Sequence, residues 1–279
     1  MTRKLAIYLP LAVFASITLV PFLYLGCSAL KTNDNFFTSP FLPIHDAWWD
    51  VDWAGLTLDN FKRLFQEAGI DRAVANSFFY ASAMAVLGTL GSAMGGYALA
   101  KYDFLGRGMF TNIVLTALII PHALLLAPGY KVLYTLGLLD SYAGLILPGL
   151  APAFGVFLFR QAFVSGLPSE MMEAGRIDGC GEIRMFFQLA LPMVRPMVGA
   201  FLLITYLGTW NNFIGPQIVL QTPEKYPLAV AVAQLRGPYG TEYGMIMAGT
   251  IIAIVPVLSL FLLLQKDFIA GLTAGSVKG

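Results

Sequence analysis

Charge is scarce in this chain. Asp, Glu, Lys and Arg together make up 12% of its 279 residues, where a soluble domain carries about a quarter. Hydrophobic residues make up 57% and mean hydropathy is +0.72, so much of the surface must face something other than water. The net charge of +1 provides no electrostatic footprint for nucleic acid. The two cysteines, Cys27 and Cys180, are far apart and yield neither a disulfide framework nor a metal spacing. Two histidines, His45 and His122, cannot build a metal site alone. No G-x-x-x-x-G-K-[ST] run occurs, so the chain does not bind ATP through such a loop. No apolar run contains Asp or Glu, which argues against proton- or ion-coupled secondary transport, and no inverted repeat supports it. A membrane-embedded enzyme would need converging Ser, His, Asp or Glu, and His122 by itself is insufficient. The chain reads as a non-enzyme without cofactor or metal.

About twenty apolar residues cross a bilayer as a helix. Six runs qualify: Leu5–Leu30, Ala73–Ala100, Gly108–Tyr130, Ser141–Phe159, Pro196–Pro223 and Tyr243–Gln265. Backbone groups in hydrocarbon must bond internally, which makes these runs helices. The first is too long for the apolar part of a signal peptide and lacks an obvious small-residue cleavage site, so it is expected to be retained. Six spans put both ends on one side. With the N-terminus cytoplasmic, the inner segments hold ten basic residues: Arg3, Lys4, Lys101, Arg107, Arg160, Arg176, Arg184, Arg195, Lys266 and Lys278. The outer segments hold seven: Lys31, Lys62, Arg63, Arg72, Lys131, Lys225 and Arg236. This is the expected sign of the charge bias, so both termini are expected in the cytoplasm.

Pro148, Pro152 and Pro256 should bend the fourth and sixth spans. Gly88, Gly91, Gly95 and Gly96 put a small-residue stripe on the second, suited to close packing within the chain. The outer loop from Lys31 to Arg72 carries Trp48, Trp49 and Trp53, read as an interfacial belt on a solvated loop. Within it, TLDNFKRLF suggests a short amphipathic helix over Leu56–Phe65, lying along the membrane surface.

The inner loop reads GLPSEMMEAGRIDGCGEIRMFFQLALPMVRP. Ser169 is expected to cap a helix that Glu170 and Glu173 favour near its start. Gly179 and Gly181 interrupt it, a second amphipathic helix runs from Glu182 to Leu191, and Pro192 closes that helix. Ile177, Met185, Phe186, Leu189 and Leu191 form an apolar face that must pack on the chain's own bundle or on a partner. Such a surface suits helix-in-groove docking.

The spacing Glu173-Ala174-Gly175, three residues, Gly179, nine residues, Leu189-Ala190-Leu191-Pro192 resembles the "EAA" motif of binding-protein-dependent ABC importer permeases. Gly175 and Leu189 depart from that pattern, and Gly175 should loosen its helix by up to about 1 kcal/mol. LLDSYAGLILPGLAPAFGVFLFRQAF before the motif, TWNNFIGPQIV after it and the terminal GLTAGSVKG are similar to the carbohydrate, maltose-type branch. The resemblance implies an all-α integral membrane protein of the bacterial inner membrane, with the type 1 ABC importer permease fold. Residues 1–72 would hold the first span and outer loop, 73–268 the five-helix core with its coupling loop 164–195, and 269–279 a cytoplasmic tail. It further implies a second permease subunit, two ATPase subunits that bind the ATP and an external solute-binding protein, besides membrane lipid. Glu173, Ala174, Gly175, Asp178, Gly179, Leu189, Leu191 and Pro192 would form the ATPase-coupling loop. Tyr206, Trp210, Asn211 and Asn212 offer aromatic faces and amides for a substrate path, although the same residues would also serve to pack the helices. The outer segment QTPEKYPLAVAVAQLRGPYGTE is expected to meet the binding protein. A sugar is the expected solute; glycerol phosphate or a polyol would use the same architecture.

Overall fold

The computed structural model describes residues 2–44, 49–237 and 240–276. His45, Trp48, Pro238, Tyr239 and Lys278 lie outside the described residues, as do the side chains of Arg3 and Lys266 and those of the terminal GLTAGSVKG. Among the described residues, one antiparallel pair of two-residue strands, Arg236–Gly237 with Gly240–Thr241, interrupts an otherwise helical chain.

Four helical stretches are long and apolar enough to cross a membrane: Ile7–Ala29, Ile70–Lys101, Tyr142–Gly166 and Tyr243–Leu262. Two bent pairs raise the number to as many as six. The expected third span is not one continuous helix. Helix Arg107–Ile119 stops before Pro121, and His122–Thr135 leaves it at 104°, because proline removes a helix donor and clashes with the preceding turn. The expected fifth span is shorter than its apolar run. Its helix, Arg195–Trp210, ends well before Pro223 and meets Glu182–Met193 at 85°. In the fourth, Pro148 sits in a 3₁₀ turn and Pro152 precedes helix Ala153–Gly166. Pro256 lies inside helix Tyr243–Ser276.

The chain forms two compact units: Met1–Val74 with Leu228–Leu263, and Ala75–Pro227 with Leu264–Gly279. Residues 228–263 thus group with the N-terminal segment. In the first unit the outer loop is built around Lys31. This residue is fully buried. Its Nζ donates to the Ser39 carbonyl at 2.6 Å and sits near the rings of Tyr24 and Phe36, and burial pushes its pKa down. The amphipathic helix begins at Asp59, later than expected, and runs to Gln66. It buries Leu64 and Asn60, and Asn60 donates to the carbonyls of Ala29 and Lys31. Trp49 and Trp53 are exposed.

In the second unit the glycine stripe packs within the chain. A Cβ on Gly91 would stand 2.1 Å from the Leu150 carbonyl oxygen, and one on Gly96 would stand 2.6 Å from the Arg160 nitrogen. The backbones therefore meet where only glycine fits. Beyond this contact lies a core of Tyr97, Phe159, Phe163, Leu167, Met172, Met185, Phe186 and Phe201. It sits directly beneath the inner loop.

Candidate functional site: the inner loop and an uncharged cleft

The first loop helix is Ser169–Ile177. Pro168 occupies its N-cap position and Ser169 makes no capping bond, which corrects the expected cap. Proline fixes φ and cannot donate, so it suits the start of a helix, and Ser169 becomes the first helical residue. The helix ends in a turn. The N–H of Asp178 donates to the Ala174 carbonyl, and Gly179 follows at φ +74° with open space around its Cα. Glycine is required there by conformation, not by close approach. Glu173, Ala174, Asp178 and Gly179 are all exposed.

The second loop helix spans Glu182–Met193, and five of its residues, Phe186–Ala190, form a π-turn. Pro192 lies inside its last turn instead of closing it. Pro192 cannot donate to the Gln188 carbonyl, and a widened turn just before it accommodates the missing bond. Gly175 is buried against this helix. A Cβ there would stand 3.2 Å from both Leu189 Cδ1 and Met185 Sδ, so the glycine that loosens the first helix also lets the second approach.

The expected apolar face divides in two. Met185 and Phe186 are buried in the core, with Leu189 and Leu191 packed against it. Ile177 is 87% exposed. The sequence reading missed its companion Ile183, 78% exposed, which lies across the glycine turn.

A polar cluster that the sequence reading also missed ties this loop to the end of helix Ile70–Lys101. Tyr102 Oη donates to a Glu182 carboxylate oxygen, and Arg176 Nε donates to the other at 3.0 Å. The guanidinium of Arg176 lies 6.0 Å from the Tyr102 ring centre. The Tyr102 hydrogen bond, followed by that of Arg176, holds Glu182 below the usual carboxylate pKa, while burial and Glu182 push Tyr102 up. No motif spacing points to Tyr102, because its partners lie some eighty residues away.

The four candidate path residues separate. Trp210 is buried and stacks on Tyr206 with ring centres 6.1 Å apart, and Tyr206 meets Phe78 edge-on. Asn211 is exposed and donates to the Leu207 carbonyl of its own helix. Asn212 accepts from the Gly215 N–H, is hydrogen-bonded to Tyr80, and lines a cleft of about 370 Å³ whose walls include Tyr80, Tyr130, Leu133, Leu145 and Ile218. The cleft has no charged residue in its lining.

Of the expected outer loop after Trp210, much is not a loop. Helix Leu228–Gln234 buries Leu228 and Val230. The preceding stretch is held by Asp140, at φ 52°. Its carboxylate accepts from the N–H groups of Gln221 and Thr222 at 2.9 and 3.0 Å and from Lys225 Nζ at 2.7 Å. These bonds hold it well below the usual carboxylate pKa. Gln221, Pro223 and Glu224 remain exposed.

The family described as "Binding-protein-dependent transport system inner membrane component" matches residues 88–266. The arabinooligosaccharides transport system permease protein AraQ of Halalkalibacterium halodurans is 43% identical over 82% of this chain and 82% of its own length. The lactose transport system permease protein LacG of Rhizobium radiobacter is 29% identical over 97% and 95%. A chain of a bacterial ABC transporter that imports the acidic polysaccharide alginate superposes with a TM-score of 0.80 at 22% identity, covering 96% of each chain; it shares the fold. With its membrane-length helices and helix–turn–helix inner loop, this chain belongs to the family of inner membrane components of binding-protein-dependent transport systems.

Proposed function

We propose that this chain is one permease subunit of an ATP-driven importer for oligosaccharides, working with a second permease, two ATPase subunits that bind the ATP, and an external solute-binding protein. One observation carries the reading. Ile177 and Ile183, the two most exposed large apolar residues of the loop, stand on either side of a glycine turn while Met172, Met185 and Phe186 are buried beneath it. Two bulky aliphatic side chains on a rigid, charged, non-membrane loop fit a groove on a partner protein. In the family, that partner is the ATPase. Glu173, Asp178 and Arg184 around them would supply polar contacts at the rim of the docked surface.

The solute reading draws on the relatives' oligosaccharide names and on the cleft. Tyr80, Tyr130 and Asn212 present rings and an amide without a cation. This suits a neutral sugar better than glycerol phosphate, whose phosphate would call for Arg or Lys.

The test is reconstitution with the cognate partners. Ile183→Asp and Gly179→Asp should each reduce co-purification of the ATPase and abolish uptake of arabinotriose, while the chain still inserts. Wild-type co-purification and uptake in both variants would overturn the docking reading. Robust uptake of glycerol phosphate but no oligosaccharide would overturn the solute reading alone.

A further inference from the structure

We infer that Tyr102, with Glu182 and Arg176, is a clamp that makes the inner loop and helix Ile70–Lys101 move as one body, so that displacement of the docked loop reaches the membrane through that helix. The inference rests on the docking reading above for what moves the loop, but the clamp itself stands on geometry.

Three polar or aromatic residues at the end of the long helix grip three different parts of the loop. Lys101 Nζ donates to the Leu167 carbonyl, at the point where the loop begins. Tyr97 Oη lies 3.3 Å from Met172 Sδ on the first loop helix. Tyr102 holds Glu182 at the start of the second. The Tyr97 ring also meets the rings of Tyr102, Phe163 and Phe186 at centre distances of 5.4, 5.4 and 5.3 Å. Glu182 in turn bridges the glycine turn to Arg176. Each half of the loop is therefore fastened both to the helix and to the other half.

The turn needs such a brace. Gly179 is the one turn residue with positive φ, nothing packs around it, and Gly181 is equally open. Packing of Gly175 on Met185 and Leu189 joins the two helices on their buried side, and a bond across the turn restrains them on the exposed side, where a glycine would otherwise let them hinge. The Arg176–Glu182 pair alone is half-exposed, and exposed ion pairs hold geometry weakly. Tyr102 changes this by adding a charge-assisted bond to the same carboxylate and a ring beneath the same guanidinium. The three groups then restrain one another. These are positioning residues: they need not touch solute or ATPase.

The experiment uses the assembled transporter in a background where Cys27 and Cys180 are serine, with spin labels on Gln188→Cys in the loop and Met94→Cys on the long helix; both positions are exposed. Pulsed electron paramagnetic resonance measures the distance between them without nucleotide and with ATP trapped on a hydrolysis-deficient ATPase. A clamped loop gives one narrow distance, the same in both states. Tyr102→Phe, which keeps the ring but loses the hydroxyl, should broaden the nucleotide-free distribution. It should also let the trapped distance shift by about one helical turn, about 5 Å. Glu182→Gln, which still accepts from Tyr102, should fall between Tyr102→Phe and the unaltered chain, and Glu182→Ala should match Tyr102→Phe. Unchanged narrow distributions in Tyr102→Phe and Glu182→Ala would overturn the clamp, as would loss of ATPase co-purification in Tyr102→Phe, which would make Tyr102 a folding residue of the loop. The nucleotide-free comparison requires no docking, and co-purification with Gly179→Asp judges docking alone, so the two readings fail separately.

Discussion

Single residues carry two kinds of meaning here that composition cannot separate. Trp210 and Asn212 are two positions apart, yet one is buried against Tyr206 and the other lines the cleft. Trp210→Ala is accordingly expected to cost about 3–5 kcal/mol of stability, read as early thermal unfolding and low yield. Asn211→Ala should leave stability nearly unchanged. Asp140 makes the corresponding statement for polar residues. Its lowered pKa means that its bonds are fully present above the ordinary aspartate value of 3.8 and are lost only as pH falls through the lower folded value. Hydrogen exchange at the Gln221 and Thr222 amides should therefore stay equally protected from neutral pH down to the usual carboxylate range. Asp140→Ala should remove that protection at neutral pH. Glu182 has the same sign: its contribution persists above 4.5 and fades below the usual glutamate range.

Secondary-structure elements were legible where periodicity or length is local information. Apolar runs located the membrane-length helices, while proline decided where they break. Pro121 splits an apolar run that hydropathy reads as continuous, because hydropathy sums side chains and does not register a lost backbone donor. The helix Ile70–Lys101 depends on its glycines for the same backbone reason. Gly91→Ala should fail to pack on Leu150 and yield little folded protein. Gly129→Ala, in helix Leu126–Thr135 with nothing near its Cα, should be neutral or slightly stabilising. Thermal aggregation of the two variants in detergent distinguishes these outcomes. Pro192→Ala should restore the bond to Gln188, narrow the π-turn and rotate the second loop helix, and the expected readout is weaker ATPase co-purification at unchanged expression.

At the scale of the whole molecule, the reading requires the inner loop and the outer segments to lie on opposite sides of the membrane. Thr38 and Glu224 are exposed and serve as outer reporters. Thr38→Cys and Glu224→Cys should label from outside intact cells, and Gln188→Cys only after permeabilisation. External labelling of Gln188→Cys would invert the topology and remove the docking reading with it.

The sequence by itself determined that this chain lives in a membrane, that it carries no G-x-x-x-x-G-K-[ST] run, and that its loop between the fourth and fifth apolar runs is a helix–turn–helix with a glycine hinge. Each of these follows from residue type at short range: apolar run length, the absence of a motif, the conformation glycine alone adopts freely. Only the tertiary structure decided which apolar residues of the loop face inward and which are left for a partner. It alone brought Tyr102 to Glu182, buried Lys31 among carbonyls and rings, and turned much of an expected outer loop into a packed helix. Those outcomes depend on contacts between residues far apart in the chain, where burial free energy summed over a core outweighs the local preference of any one side chain.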